Sequence, residues 1–175
     1  MIAVRPYEAR DRESAVGLVA EFRVALSALH GRDKAAELPA AEEELQEYID
    51  KAFPIFVATA PGGTSETSCI GYLVCRVDDD AVWAESLFVL PQFRRQGVAG
   101  ELYRQAERLA QERGQETLYN WVHPNNDAII AFLKKRGYDV LNLIEVRRRY
   151  AGEDATGVVR VGDHRYAYDG ETETN

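Results

Sequence analysis

Two cysteines, one methionine and three histidines in 175 residues leave little material for thiol or metal chemistry. Cys69 and Cys75 fall in one expected strand, six residues apart. They share a face but stand roughly 20 Å apart at strand rise, too far to bridge each other. The pair also makes a poor metal site, so no metal is expected and both thiols read as buried structural residues of a reducing cytoplasm. Positive charge is also scarce: 21 Lys and Arg against 29 Asp and Glu give a formal net charge of −8. That balance argues against a nucleic-acid or anionic-membrane surface and mildly favours a cationic substrate. No apolar run approaches the roughly 18 residues that span a bilayer. Met1-Ile2-Ala3-Val4-Arg5-Pro6 lacks a basic region followed by an apolar stretch, so no secretory signal is expected. Internal repeats and interdomain linkers are missing too, and the length suits one domain with a proper core.

What is present is a regular alternation of periods. Ile2–Arg5 reads as a first strand. Ala15, Leu18, Val19, Phe22, Leu26 and Leu29 recur at helical spacing, which predicts a helix from Asp11 to about Ala28. Pro39 and the acidic run Glu42-Glu43-Glu44 open a second helix. Strands follow at Pro54–Ala58, Cys69–Val77 and Val82–Leu90, the first two joined by a loop over Pro61–Ser68. Asp78-Asp79-Asp80 reads as a solvated turn. A helix is expected over Arg95–Arg113, ended by Gly114. A strand over Thr117–Val122, a short helix to Arg136 and a strand over Leu141–Arg149 come next. Val158–Tyr168 reads as a hairpin turning at Gly162-Asp163, and Glu171–Asn175 as a frayed tail. The order βααβββαβαβ plus a hairpin places the chain in the α/β class with a mixed sheet.

The most informative run is Trp83–Gly100. An apolar strand ends at Pro91, a basic turn with two glycines follows, and then an amphipathic helix begins. Backbone N–H groups and the positive end of a helix dipole converge there, which makes an anion site. Gly97 and Gly100 let an anion approach the main chain, and Arg94 and Arg95 add charge-assisted donors. The P-loop lysine is missing and the glycine spacing is wrong for a dinucleotide fold. The run Arg94-Arg95-Gln96-Gly97-Val98-Ala99 instead fits Arg/Gln-x-x-Gly-x-Gly/Ala.

That loop resembles the acyl-CoA pyrophosphate loop of the GCN5-related N-acetyltransferase (GNAT) superfamily. The resemblance implies a single-domain fold with a splay between the fourth and fifth strands of a mixed central sheet. Helices would lie on both faces, and a C-terminal β-hairpin would follow. Residues 1–150 would form the acetyltransferase domain, with hairpin and tail 151–175 belonging to it. Acetyl-CoA would be the co-substrate. Leu87, Phe88 and Val89 would pair with the pantetheine arm like a missing strand, and the amides of Arg94, Arg95, Gln96, Gly97, Val98, Ala99 and Gly100 would hold the pyrophosphate. The family's later pattern maps onto Asn126, Leu133 and Gly137-Tyr138. Asn126 would contact coenzyme with Phe132 packing beside it, although Asn126 also suits a helix N-cap. Leu133 stands where many members place a tyrosine that protonates the departing thiolate. Tyr138, Tyr119 and Tyr103 are the available substitutes.

Glu85 is the candidate base for an ammonium acceptor. Strict alternation would set it beside Leu87 and Val89 on one side of the strand. A carboxylate in that apolar row needs a partner or a raised pKa; the other reading is a structural edge glutamate. The segment is similar to the polyamine (diamine) N-acetyltransferase branch, where a strand glutamate acts through water. Trp83 and Trp121 either wall an acceptor pocket by cation–π contact or pack in the sheet core. His123 either relays a proton or is incidental to its loop. The function expected is acetyl transfer to a primary amine, small or polyamine-like, by direct attack in a ternary complex. The alternatives are a non-catalytic acyl-CoA-binding module and a protein N-terminal or lysine acetyltransferase. The apolar faces of the hairpin suggest a homodimer, with folding back on its own sheet as the alternative.

Overall fold

The computed structural model describes residues 2–60, 69–152 and 157–168. The loop expected over Pro61–Ser68 and the tail Glu171–Asn175 lie outside the described residues. The chain divides into two compact units, Met1–Trp121 and Val122–Asn175.

In the first unit, strand β1 (Ala3–Pro6) leads into helices α1 (Arg12–Leu29) and α2 (Leu38–Asp50). Strands β2 (Ile55–Thr59), β3 (Cys69–Val77) and β4 (Val82–Val89) follow, then helix α3 (Val98–Glu112) and the short strand β5 (Tyr119–Asn120). They form one sheet in the order β1-β2-β3-β4-β5. The first three pairings are antiparallel and β4–β5 is parallel, the mixed sheet expected from the sequence. Cys69 to Cys75 are buried without a break, because β3 is covered on both faces. One cover is α1 and α2, whose Ala15, Leu18, Val19 and Leu45 pack with Val57, Tyr72, Val74 and Phe88. The other is α3, through Val98, Leu102, Tyr103, Ala106 and Ala110. Gly71 sets how closely the layers approach. A Cβ there would stand 2.9 Å from the Phe88 carbonyl oxygen, 3.1 Å from Val89 Cγ2 and 3.4 Å from Leu102 Cδ1.

Three expectations are corrected in this unit. The strand expected over Thr117–Val122 shrinks to Tyr119–Asn120, which pair only with Trp83 and Ala84. The helix expected from Arg95 starts at Val98, because Arg95 (φ 62°) and Gly97 (φ 87°) take the left-handed conformation that no α-helix admits. The alternation that would set Glu85 beside Leu87 and Val89 is broken by a β-bulge. Val74 pairs with Ser86 and Cys75 with Ala84, so Glu85 is the extra residue between them.

In the second unit, helix α4 (Asp127–Lys135) is capped by Asn126, whose side chain accepts from the Ile129 amide at 3.3 Å. Strands β6 (Gly157–Val161) and β7 (His164–Tyr168) form the expected hairpin around Gly162-Asp163. Gly162, at φ 58°, occupies the first central position of the turn. The strand expected over Leu141–Arg149 does not form. Val140, Leu141, Leu143, Ile144 and Val146 are all exposed. They fall on both parities, so no single apolar face exists to lay on a sheet. No described residue offers the segment a ladder.

The sequence reading missed the joint that fastens β1 to α1. Asp11 is fully buried at the start of α1 and takes both terminal nitrogens of Arg5, at 2.7 and 2.6 Å, plus the Glu8 amide at 2.8 Å. Desolvation pushes the Asp11 carboxyl up, but the Arg5 and Glu8 donors outweigh it and its pKa ends below the usual carboxylate range. A depressed pKa gives stability that is present above the ordinary aspartate value and lost as pH falls through the folded value. Asp11→Asn should therefore cost about 1–3 kcal/mol at neutral pH, since it replaces the charged partner of a half-buried guanidinium with a neutral amide. Urea unfolding should show that gap closing below about pH 4; a gap that persists there would mean the pair contributes by shape alone.

Candidate active site

The fourth strand carries the site because it loses a neighbour partway along. Leu90 donates its amide to the Ile70 carbonyl at 3.0 Å, and Phe88 lies opposite Tyr72. In an antiparallel ladder, residues that face the partner alternate with residues that face away. Ser86 and Phe88 thus spend their main-chain groups on β3, and those of Leu87 and Val89 turn to the opposite edge. Beyond Ala84 that edge has no strand partner among the described residues. The Val89 carbonyl is met by the Nε of Arg94 at 2.9 Å, whose guanidinium also sits 5.3 Å from the Phe88 ring centroid. Arg94 therefore anchors the strand end, with its terminal nitrogens remaining as donors. The polar groups of Leu87 and the Val89 amide stay open to an extended ligand.

The turn after β4 supplies the second part. Pro91–Phe93 make a single 3-10 turn, and the chain then passes through Arg95 and Gly97 into α3. None of the amides from Arg95 to Gly100 makes a hydrogen bond of normal length and angle with another described residue. Val98, Ala99 and Gly100 are the first-turn donors that a helix cannot satisfy internally. Gly97 has open space where a Cβ would be, so an anion could reach these N–H groups. Two left-handed residues in a row of unpaired donors at the positive end of a 15-residue helix describe a cradle for a di-anionic phosphate group. Gln96 donates its side-chain amide to the Gln92 carbonyl and braces the turn.

The third part is a polar cluster on the α1–α2 side of β4. Glu85, released from the Leu87–Val89 row by the bulge, lies with its Oε2 3.6 Å from Arg76 Nε. Arg76 stands opposite Trp83 across the ladder, its guanidinium 4.9 Å from the Trp83 ring centroid and 5.7 Å from that of Trp121. Trp83 also packs against Tyr119 at 5.1 Å and Trp121 at 5.9 Å. The two tryptophans thus wall a cation, and that cation is the chain's own arginine. Nearby, Tyr72 and Ser86 share a buried hydrogen bond of 2.7 Å, and Tyr48 donates to Glu44, which also pairs with Arg23. Burial first, and then the Glu44 hydrogen bond, push the Tyr48 hydroxyl well up, so it stays protonated at any working pH.

The remaining candidates fall in place individually. The Tyr103 hydroxyl donates to Asn120 Oδ1 and is committed inside the fold. Tyr119 stacks on Trp83. Asn126 serves as the cap of α4, where Phe132 is half-buried and Leu133 buried. The His123 ring accepts from the Asn125 amide and closes its own turn. Asp78 bonds across its turn to Ala81 and lies 3.6 Å from Arg76 Nε. Cys69 and Cys75 are buried and unbridged; burial raises the Cys69 thiol and pushes the Cys75 thiol up to about 12. Neither is a thiolate that could carry an acyl group. Among the described residues, no helix is long and apolar enough to cross a membrane.

The family model described as Acetyltransferase (GNAT) family matches residues 23–138. The chain belongs to the GNAT acetyltransferase family, whose members take their acetyl group from acetyl-CoA. A comparison with curated protein sequences finds no match. Among solved structures, the fold is similar to AAC(6')-Iy, an aminoglycoside N-acetyltransferase solved with a CoA-linked bisubstrate analogue. The TM-score is 0.66 at 20% identity, covering 86% of this chain and 99% of that one. It is likewise similar to a ribosomal-protein-alanine N-acetyltransferase from Brucella melitensis biovar Abortus 2308, with TM-score 0.66, 17% identity and coverage of 86% and 100%. The ribosomal-protein-S18-alanine N-acetyltransferase from Escherichia coli gives 0.59 at 20% identity, with coverage of 78% and 77%.

Proposed function

We propose that the chain transfers an acetyl group from acetyl-CoA to a small primary amine, polyamine-like in character, by direct attack in a ternary complex. One observation carries this reading. The open edge of β4 at Leu87 and Val89 runs directly into the unpaired amides of Arg95 to Gly100, so one extended ligand can pair with the strand and end its phosphates in the turn. Acetyl-CoA has that form: an amide-bearing pantetheine arm joined to a pyrophosphate. In this reading Leu87 and Val89 pair with the arm, and Phe88 between them fixes the strand by packing its ring against Phe22 at 6.3 Å. Arg94, Arg95, Gln96, Gly97, Val98, Ala99 and Gly100 form the pyrophosphate turn. The reading also takes Asn126 and Phe132 as coenzyme residues, the whole chain as one acetyltransferase domain, and the cytoplasm as its place.

The chemistry then needs an amine with a free lone pair. An acceptor arrives as an ammonium ion and must give up a proton before nitrogen bonds to the thioester carbonyl carbon. Glu85, whose Oε2 lies 3.6 Å from Arg76 Nε, takes that proton through water. Main-chain donors of β4 polarise the carbonyl as its oxygen gains charge. The C–S bond breaks, CoA leaves as a thiolate, and the nitrogen, cationic after attack, gives its second proton to that thiolate or to water as the amide forms. A thiol titrates near pH 8.5, so this leaving group departs at neutral pH without a tyrosine at Leu133. The likeness to ribosomal-protein-alanine acetyltransferases supports a protein N-terminus as the second acceptor class. A homodimer is part of the proposal, supported by exposed Val158 and Val159 on β6 and the exposed apolar run Val140–Val146. Light scattering of the full chain at micromolar concentration should give twice the 19.7 kDa chain mass, and a monomer there would remove the dimer from the reading.

Two variants separate coenzyme binding from proton removal. Gly97→Asn with Ala99→Leu keeps a left-handed-tolerant residue at position 97 while filling the open cradle. Calorimetry should show acetyl-CoA binding at least about tenfold weaker in a folded protein, a loss of roughly 1.4 kcal/mol or more. Unaltered affinity would remove the turn from the coenzyme site. Glu85→Gln should instead leave acetyl-CoA affinity in place and slow acetylation by about 10²–10⁴-fold at pH 7. The deficit should narrow as pH rises and free amine accumulates. A variant as fast as wild type at pH 7 would make Glu85 structural.

A further inference from the structure

The cluster around Arg76 has a feature that packing alone leaves unexplained. A guanidinium carries five N–H donors, yet Arg76 makes no hydrogen bond with any described residue. Its Nε is buried without a partner, 3.6 Å from both Asp78 Oδ2 and Glu85 Oε2. The indole N–H of Trp83 beneath it is also buried and unpartnered. What holds Arg76 is the face of Trp83, the face of Trp121 and the charge of two carboxylates. Aromatic faces with nearby acids are how proteins bind organic cations. Trp121 is 69% exposed, so the outer wall opens to solvent.

We propose that Trp83, Trp121, Asp78 and Glu85 form the cation subsite for the acceptor, and that Arg76 is its resident occupant, displaced when a cationic acceptor binds. The inference rests on Glu85 serving the acceptor, as proposed above, and names what brings the amine to it. Displacement is cheap on the arginine side. The side chain gives up ring contacts and two ion pairs too long for hydrogen bonds, and it regains hydration of five donors. An ammonium or guanidinium ligand takes over the ring faces and both carboxylates and uncovers the Trp83 N–H. A neutral molecule makes no such exchange, so the resident arginine screens ligands by charge.

The protein's two tryptophans are both in this cluster, so tryptophan fluorescence, excited selectively over the nine tyrosines, reports on it alone. The probe is methylguanidinium chloride, titrated without acetyl-CoA against potassium chloride at equal ionic strength. Arg76→Ala should respond saturably, at concentrations at least tenfold below any response of the wild type, and adding Glu85→Gln should weaken that response. Arg76→Met, which keeps the aliphatic stem packed on Trp83, should behave the same way if the alanine variant folds poorly. In acetyl-transfer assays both variants should show a KM for the amine at least fivefold lower. A flat titration in the Arg76 variants, or one matching wild type, would overturn the proposal, as would a raised KM for the amine. Failure of every amine to be acetylated would count against the proposed function, while the fluorescence titration would still decide the cation subsite.

Discussion

The site exists because β4 has two neighbours for its first half and one for its second. A central strand normally spends every N–H and C=O on its partners, which leaves nothing for a ligand. Here β5 pairs only at Trp83 and Ala84, and the main-chain groups of Leu87 and Val89 face an edge with no strand partner among the described residues. An open edge invites pairing by any extended chain. This one is guarded at its end by Arg94, which occupies the Val89 carbonyl, and by the immediate turn into α3. The same shortness that opens the edge also fixes where a ligand's phosphates must fall, since the turn begins at the next residue.

The bulge at Glu85 divides this strand into two functions. Had the ladder kept perfect alternation, Glu85 would have faced α3 with Leu87 and Val89, in an apolar layer where a carboxylate has no partner. The extra residue between Ala84 and Ser86 moves the carboxylate to Arg76, on the side of the sheet that α1 and α2 cover. The edge proposed for coenzyme and the cluster proposed for the acceptor therefore lie on one strand but use different atoms. The first uses main-chain groups; the second uses side chains.

Much of this was legible in the sequence, and the parts that were not share a cause. The strand–proline–glycine–helix run around Gly97 is local, and local chemistry fixed both its turn and its donors. The periods of α1 and α3 and the Gly162-Asp163 hairpin are local as well. The bulge is not, because it depends on how the seven residues Gly71–Val77 of β3 count against the eight residues Val82–Val89 of β4. The Arg5–Asp11 pair was hidden for the same reason: an arginine in a strand and an aspartate six residues on have no pattern until the chain folds back. The segment Leu141–Arg149 shows the opposite failure. Its β-branched and aliphatic content reads as a strand, but a strand is a relation between two segments, and no described residue supplies the second.

A ligand held by backbone amides asks little of residue identity beyond a glycine at Gly97 and a chain direction, so proteins only about 20% identical keep the fold around it. The proposed acceptor recognition through Arg76, Trp83, Trp121 and Glu85 asks instead for particular side chains at particular registers. An aminoglycoside acetyltransferase and a ribosomal-protein-alanine acetyltransferase can both resemble this chain equally well for that reason. The acceptor must then be read from the charge and aromatic character of this chain's own cluster, where two carboxylates and two indoles already hold a cation.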